Sequence, residues 1–333
     1  MPACCGRGVL ATGPSRQVQG AVRKPLSGNI GTDQSVATVN LRMRAKRSRT
    51  LVYLHIPKCG GTTLNSILKA NFPDDRRFYV DATDISGSRR ELASLPEEKR
   101  RSIHLLHGHL SYGWHQLLPN KALYFTVIRH PLQRCVSHYN YVRFRTAHPH
   151  YLRDVVEREK MTLSDYVRSG VCDEMNNGQV RLLAGVEDIV QEPHGRSALE
   201  YGSNDPALLE QALHNIRRDF VVVGLQERYE ESLLLLRHRL GLRRIASPRK
   251  NVARFHYDKH TATPTEVEVI EDYNQLDLAL YCAMAEQFED ELGAIGCQDL
   301  QLCWLRLRTA INTQLSAIRH QSATVLADRG ACG

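Results

Sequence analysis

A lysine, a glycine pair and two threonines fall in one run of the chain, His55-Ile56-Pro57-Lys58-Cys59-Gly60-Gly61-Thr62-Thr63-Leu64. These residue types suit phosphate chemistry. A glycine pair lets backbone N–H groups come close to an anion. A helix opening directly after it adds outward-facing N–H groups and the positive end of the helix dipole. Lys58 supplies a mobile positive charge, and Thr62 and Thr63 supply hydroxyl donors. Lys58, Cys59, Gly60, Gly61, Thr62 and Thr63 therefore form a candidate phosphate loop. A glycine pair alone reads as an ordinary strand–turn–helix connection; the lysine before it and the threonines after it favour the phosphate site. The Walker pattern G-x-x-x-x-G-K-[ST] places its lysine after the last glycine, whereas Lys58 precedes both. Cys59 reads as a small filler, with Lys58 near enough to lower its pKa and make it reactive.

A second run, Arg129-His130-Pro131-Leu132-Gln133-Arg134-Cys135-Val136-Ser137, spaces an arginine and a serine eight residues apart. Arg129 can grip a phosphate bidentately and Ser137 can donate one more bond. A third basic element is Ser247-Pro248-Arg249-Lys250-Asn251; for Arg249 and Lys250, anion contact and solvated surface charge are both open readings. His107-Gly108-His109 offers a proton acceptor, since a neutral histidine with a pKa of ~6.5 suits proton removal near neutral pH. With 15 histidines in the chain, an H-x-H pair also arises by chance. It could equally be a metal-ligand pair or two histidines satisfied in a turn. No third ligand stands at motif spacing, so no metal is expected. Asn177 and Arg181, within Asn176-Asn177-Gly178-Gln179-Val180-Arg181, are candidates for shaping an acceptor site; a capped helix start is the competing reading.

The elements around these runs alternate. Leu51–Ile56 is a short apolar strand, followed by Leu64, Ile67 and Leu68 at helical spacing. Ile103–Leu106 is a weaker strand and Leu123–Ile128 a strong one, which delivers Arg129 to its carboxyl end. Pro131 suits the first turn of a helix through Ser137 and Tyr141. Phe220–Val223 is another strand, leading into a helix around Leu233–Leu236 that Gly241 closes. Thr263-Pro264 opens a helical region, Leu278–Leu292 is a longer helix, and a helix with a frayed tail is expected after Gly296. Near-continuous apolar strands separated by helices predict an α/β fold, a central parallel sheet flanked by helices. Ligands bind such sheets at the carboxyl edge.

In this order and spacing the motifs resemble those of the PAPS-dependent sulfotransferases, and among them the carbohydrate group that includes heparan sulfate 2-O-sulfotransferase. The resemblance runs over residues 50–295. It implies a P-loop-like fold in which the Lys58 loop holds the 5′-phosphosulfate of 3′-phosphoadenosine-5′-phosphosulfate (PAPS). Arg129 and Ser137 would hold the 3′-phosphate, and Arg249 and Lys250 would lie on a loop closing over the cofactor. His109 would be the general base and His107 a positioning or auxiliary group. The implied reaction is O-sulfation of a hydroxyl-bearing acceptor, a saccharide, with PAPS as co-substrate and no metal. Two other readings compete: a P-loop NTP-dependent kinase, and a non-catalytic nucleotide- or glycan-binding protein of the same fold.

The chain has 333 residues, 42% hydrophobic and 24% charged, with a net charge of +8. That is ordinary for a globular protein with a sizeable core. Residues 1–50 carry nine Lys/Arg and one acid, an excess equal to the whole net charge. Residues 51–333 are therefore neutral in sum, and the charge argues against nucleic acid as a partner except non-specifically through the basic start. Three regions are expected: a basic, disordered extension over 1–48, the sulfotransferase-like domain over 49–296, and a C-terminal helix and tail over 297–333. Nine scattered cysteines without a CxxC pair, the absence of any N-x-Ser/Thr, and no apolar run long enough for a membrane span predict no membrane insertion and a cytoplasmic location. An organellar location is the alternative if the Arg-rich start acts as a transit segment.

Overall fold

The computed structural model describes residues 49–144, 150–186, 200–246 and 260–330, with side chains to residue 314 in the last stretch. The elements are β1 (Arg49–Leu54), α1 (Gly61–Asn71), β2 (Arg77–Val80), α2 (Ile85–Ser94), α3 (Glu97–Ser102), β3 (Leu105–Gly108), β4 (Lys121–Ile128), α4 (Pro131–Phe144), α5 (Arg153–Arg158), α6 (Leu163–Arg168), α7 (Gly178–Ala184), α8 (Pro206–Asp219), β5 (Phe220–Leu225), α9 (Tyr229–Leu240), α10 (Pro264–Tyr273), α11 (Gln275–Gly293) and α12 (Gln298–Gly330).

The five strands form one parallel sheet in the order β2-β3-β1-β4-β5. Strands β1 and β4 are buried on both faces for most of their length, which is why they read as unbroken apolar runs rather than alternating ones. Two threonines inside the sheet satisfy their hydroxyls on backbone: Thr50 donates to Ile103 O at 2.6 Å and Thr126 to Leu54 O at 2.7 Å. From β1 the chain crosses toward β2, and from β4 it moves the other way to β5. The carboxyl ends of β1 and β4 thus flank a topological switch point, where sheets of this kind leave a crevice. Both candidate anion motifs start there.

A second, smaller apolar cluster joins α4, α6 and α10 through Tyr139, Val142, Leu163, Tyr166, Val167, Val269 and Ile270. Thr263 opens α10 as expected, with Pro264 in the first turn and a reciprocal capping box to Glu266.

One sequence expectation needs correction. β3 starts at Leu105 rather than Ile103, so His107 lies inside the strand instead of after it. β2, an edge strand of four residues with the sequence RFYV, was not foreseen, because so short a segment carries almost no periodic signal. The last helix runs 33 residues, Gln298–Gly330. Among the described residues no helix is long and apolar enough to cross a membrane.

Candidate functional site

The loop after β1 is built around two left-handed backbone positions, Lys58 at φ 68° and Gly60 at φ 82°. A lysine in that region costs about 1–2 kcal/mol, a strain of the sort found where a loop is shaped for a ligand. Gly60 is the N-cap of α1, and the first intrahelical bond runs from Leu64 N–H to Gly60 O at 3.5 Å. The helix thus opens on Gly61, Thr62 and Thr63, with Thr62 exposed and Thr63 buried. Gly61 is required by packing: a Cβ there would sit 1.6 Å from His55 Nε2. The Lys58 ammonium rests 3.6 Å from the centre of the Tyr141 ring on α4, a cation–π contact. Ser137 lies one turn before Tyr141 on α4, so the two share a face. This brings Ser137 to the side of α4 that meets the loop.

Arg129 joins the two motifs directly. Its Nη1 donates to Lys58 O at 3.1 Å. Among the described residues its buried Nε has no hydrogen-bond partner, a donor that an anion in the crevice would satisfy. Burial lowers the Arg129 pKa, with the neighbouring Cys59 and Glu227 opposing.

The backbone of Arg129 is clamped by a residue the sequence reading passed over. Gln179 accepts from Arg129 N–H at 2.9 Å and donates to Arg129 O at 2.8 Å. The same Gln179 Oε1 receives the Cys59 thiol at 3.7 Å, so one buried amide ties the phosphate loop to the Arg129 turn. Gln179 stands within the polar run Asn176–Arg181, but nothing local in that run distinguishes it from its neighbours.

Cys59 packs as a small filler, and the expectation of a lowered thiol pKa is corrected. Its side chain is fully buried and burial pushes the thiol up to about 12, although Arg134 and Arg129 pull the other way. Lys58 does not activate it. Its thiol faces Pro57 O and Gln179 rather than the loop mouth.

His107 and His109 flank Gly108, which ends β3 at φ 142°. A Cβ on Gly108 would lie 2.5 Å from Val80 O, so β2 can pair here only with glycine. The His107 Nδ1 meets Asn65 Oδ1 of α1 at 3.2 Å, and its ring tilts against Tyr79 at 5.2 Å. His109 stacks on His55 with ring centres 4.2 Å apart, and its Nδ1 lies 3.1 Å from His55 O. A carbonyl oxygen can only accept, so Nδ1 carries the proton and Nε2 keeps its lone pair. Burial lowers both histidines to about 4; Lys58 adds to the effect at His109, while the bond to His55 opposes it. Both are neutral at pH 7. His55 is lowered as well, by burial and then by His109.

Asn177 and Arg181 sit in the interior, each 0% exposed. Asn177 Oδ1 accepts from Leu276 N–H at 3.0 Å and Asp277 N–H at 3.2 Å, capping α11. In exchange, Asp277 accepts from Gln179 N–H at 3.2 Å and Val180 N–H at 2.8 Å, capping α7. Arg181 donates to Asn176 Oδ1 and Glu200 O. The helix start in this run is thus capped from another helix, not by its own Asn177. Arg249 and Lys250 lie outside the described residues.

Beneath the site, Arg134 lies 3.7 Å from Glu174 Oε2 and 3.8 Å from Asp277 Oδ2. His138, Cys172 and Glu174 bring one possible metal-ligating atom each within 4.8 Å of one another. Arg134 already supplies positive charge at Glu174, and burial raises Glu174 to about 7.

A profile of the sulfotransferase family matches residues 42–284. The chain is 25% identical over 203 residues to chicken (Gallus gallus) heparan sulfate 2-O-sulfotransferase 1, covering 56% of this chain and 53% of that one. It is 26% identical over 239 residues to a Drosophila melanogaster heparin sulfate O-sulfotransferase, covering 65% and 64%. With heparan sulfate 2-O-sulfotransferase hst-2 of Caenorhabditis elegans it shares 24% over 203 residues, covering 57% and 59%. The chain spans about half the length of the first of these relatives. With the family profile covering most of its length, and with a five-stranded parallel sheet carrying the candidate anion motifs at the switch point, this chain belongs to the sulfotransferase family.

Proposed function

We propose that the protein transfers a sulfuryl group from PAPS to a hydroxyl of a saccharide acceptor. The observation that carries this reading is the contact between the two anion motifs, Arg129 Nη1 on Lys58 O at 3.1 Å. It sets a phosphate loop beside an arginine with a spare buried donor, a pairing that suits a nucleotide bearing anionic groups on both its 5′ and 3′ sides. Lys58 and the opening of α1 would hold the 5′-phosphosulfate; Arg129 and Ser137 would hold the 3′-phosphate. The similarity to heparan sulfate sulfotransferases supports a saccharide acceptor.

The roles then follow from charge. The acceptor oxygen attacks sulfur in line as the bond from sulfur to the 5′-phosphate oxygen breaks. His109 Nε2 takes the hydroxyl proton, and its Nδ1–H bond to His55 O holds the tautomer. Charge builds on the departing phosphate oxygen, where Lys58 and the helix N-terminus stabilise it. The other product is adenosine 3′,5′-bisphosphate. His107, anchored on Asn65 Oδ1, supports the strand end that presents His109.

The test is melting temperature with adenosine 3′,5′-bisphosphate, ADP and ATP–magnesium in turn. A ligand at ~100 times its Kd stabilises by about 2.7 kcal/mol. Stabilisation selective for the bisphosphate is expected, and Arg129→Ala should remove that selectivity while leaving ADP binding little changed. Stabilisation by ATP–magnesium alone would replace this reading with a kinase.

A further inference from the structure

A cavity of about 310 Å³ lies between α1, the segment that follows α9, and α12. It is set back from the crevice. Ser66, Ile67 and Ala70 line it from the second and third turns of α1, and Ala70 is about 14 Å along the helix from Gly61. Its floor is apolar, with Ile67 and Ile245 both buried. Its rim is basic. Arg243, Arg244 and Arg308 line it, all three are exposed, and no acidic residue joins them. The α12 wall lies beyond residues 42–284, the part of the chain that the family profile matches.

Neutral contacts hold the rim in shape and leave its charge in place. Asn71, at the end of α1, accepts from Arg243 N–H at 2.9 Å and Arg244 N–H at 3.1 Å, and donates to Arg244 O at 2.9 Å. Asn312 of α12 donates to Ala246 O at 2.9 Å. The Arg308 guanidinium lies over the Trp304 ring, 5.2 Å from its centre, and the Arg237 guanidinium at 5.0 Å. A guanidinium on a ring face keeps its N–H donors, which lie in its own plane. Other arginines close by are neutralised: Arg306 meets Glu230 at 2.7 Å and Arg239 meets Glu291 at 3.6 Å. Among the described residues, none of Arg243, Arg244 and Arg308 has a carboxylate partner. Residues 51–333 are neutral in sum, so three such arginines round one hollow are a local concentration of charge.

We propose that this cavity binds a sulfate ester of a sulfated saccharide, at a site separate from the crevice. The ester presents terminal oxygens that share one negative charge, and arginine forks grip such a group bidentately. The sugar ring that carries it would rest its C–H face on Ile67 and Ile245. A free anion would use the rim and leave the apolar floor bare, so the ester on its ring is the better match. The choice of a saccharide rests on the proposed function: sulfuryl transfer to sugars makes such esters. A chain already sulfated could then be held here while a further hydroxyl of the same chain enters the crevice. Both sites lie along one helix, since α1 opens at the crevice and lines the cavity further down.

Fluorescence titration of the full chain with a sulfated heparin tetrasaccharide tests this. The chain has two tryptophans and Trp114 is 1% exposed, so a ligand at the cavity is read through Trp304. A saturable change in emission is expected, absent in Trp304→Phe and the same with or without saturating adenosine 3′,5′-bisphosphate. Arg243→Ala/Arg244→Ala should weaken binding by about tenfold or more and leave the melting shift from the bisphosphate unchanged. Arg153→Ala/Arg158→Ala removes the same formal charge from α5 and should weaken binding by about twofold at most. Equal losses in the two double variants would mean a general field and overturn the site. So would equal binding of the desulfated tetrasaccharide, inorganic phosphate binding as tightly as the saccharide, or displacement by the bisphosphate, which would make the cavity part of the nucleotide site. Saccharide binding without any bisphosphate-selective melting shift would instead remove the transfer reading and keep this site.

Discussion

His109 is defined by its two nitrogens: one is committed to His55 O, and the other is left with a lone pair in a site that keeps the ring neutral. Proton transfer from a positioned base contributes typically 10²–10⁴-fold. His109→Ala should therefore lower turnover by about that factor, with the melting shift from adenosine 3′,5′-bisphosphate retained. If the shift disappears as well, His109 is shaping the nucleotide site instead. The pH profile separates the same alternatives. The free-enzyme pKa of about 4 places the acid limb of kcat/KM well below the 6.5 of an ordinary histidine. Activity per folded molecule should stay level as the pH falls from 7 toward 5.

At the scale of elements, helix openings organise the site. The N-terminus of α1 faces the crevice, and the N-termini of α7 and α11 face each other and exchange caps through Asn177 and Asp277. That exchange holds Gln179, and Gln179 holds Arg129 and Cys59. Arg134 lies beside Asp277, both fully buried. Removing one partner of a buried pair costs about 3–5 kcal/mol, because the other charge is left uncompensated. Asp277→Ala should lower unfolding free energy by that amount in denaturant titration, and affinity for the bisphosphate should fall with it. Gly61→Ala tests the other opening. Its Cβ would displace the His55 ring and so the His55–His109 stack; a loss of turnover at least as large as that of His109→Ala is expected.

For the whole molecule, buried histidines govern the response to acid. His55, His107, His109 and His138 all have pKa values lowered by burial. Each takes up its proton near 6.5 when unfolded and at a lower pH when folded, so the stability it contributes is present above 6.5 and is lost as pH falls toward 4. Two buried carboxyls act in the opposite sense. Glu174, raised to about 7, and Asp277, also raised, bind protons more tightly when folded and gain stability on acidification. His104, His115 and His130 are lowered by burial too, so melting temperature should drop between pH 6.5 and 4. Double replacement of His55 and His107 by asparagine should flatten that drop; an unchanged slope would place its origin elsewhere.

The candidate motifs stand out in the sequence because their signals are local. A lysine, a glycine pair and two threonines at a strand-to-helix turn declare themselves within ten residues, as does an arginine between a strand end and a proline. The α/β class followed from apolar runs that neither alternate nor lengthen into helices alone. Tertiary structure decided what depends on contacts across the chain. Lys58 is the neighbour of Cys59 in the sequence, but burial in the fold pushes the thiol up rather than down. Asn177 looked like a local cap or an acceptor contact, yet its amide serves a helix about 100 positions away. Gln179 is indistinguishable from any polar helix residue until Arg129 is packed on it. Turn chemistry and periodicity are written along the chain; burial and exchanged caps are properties of surfaces that exist only once the chain has folded.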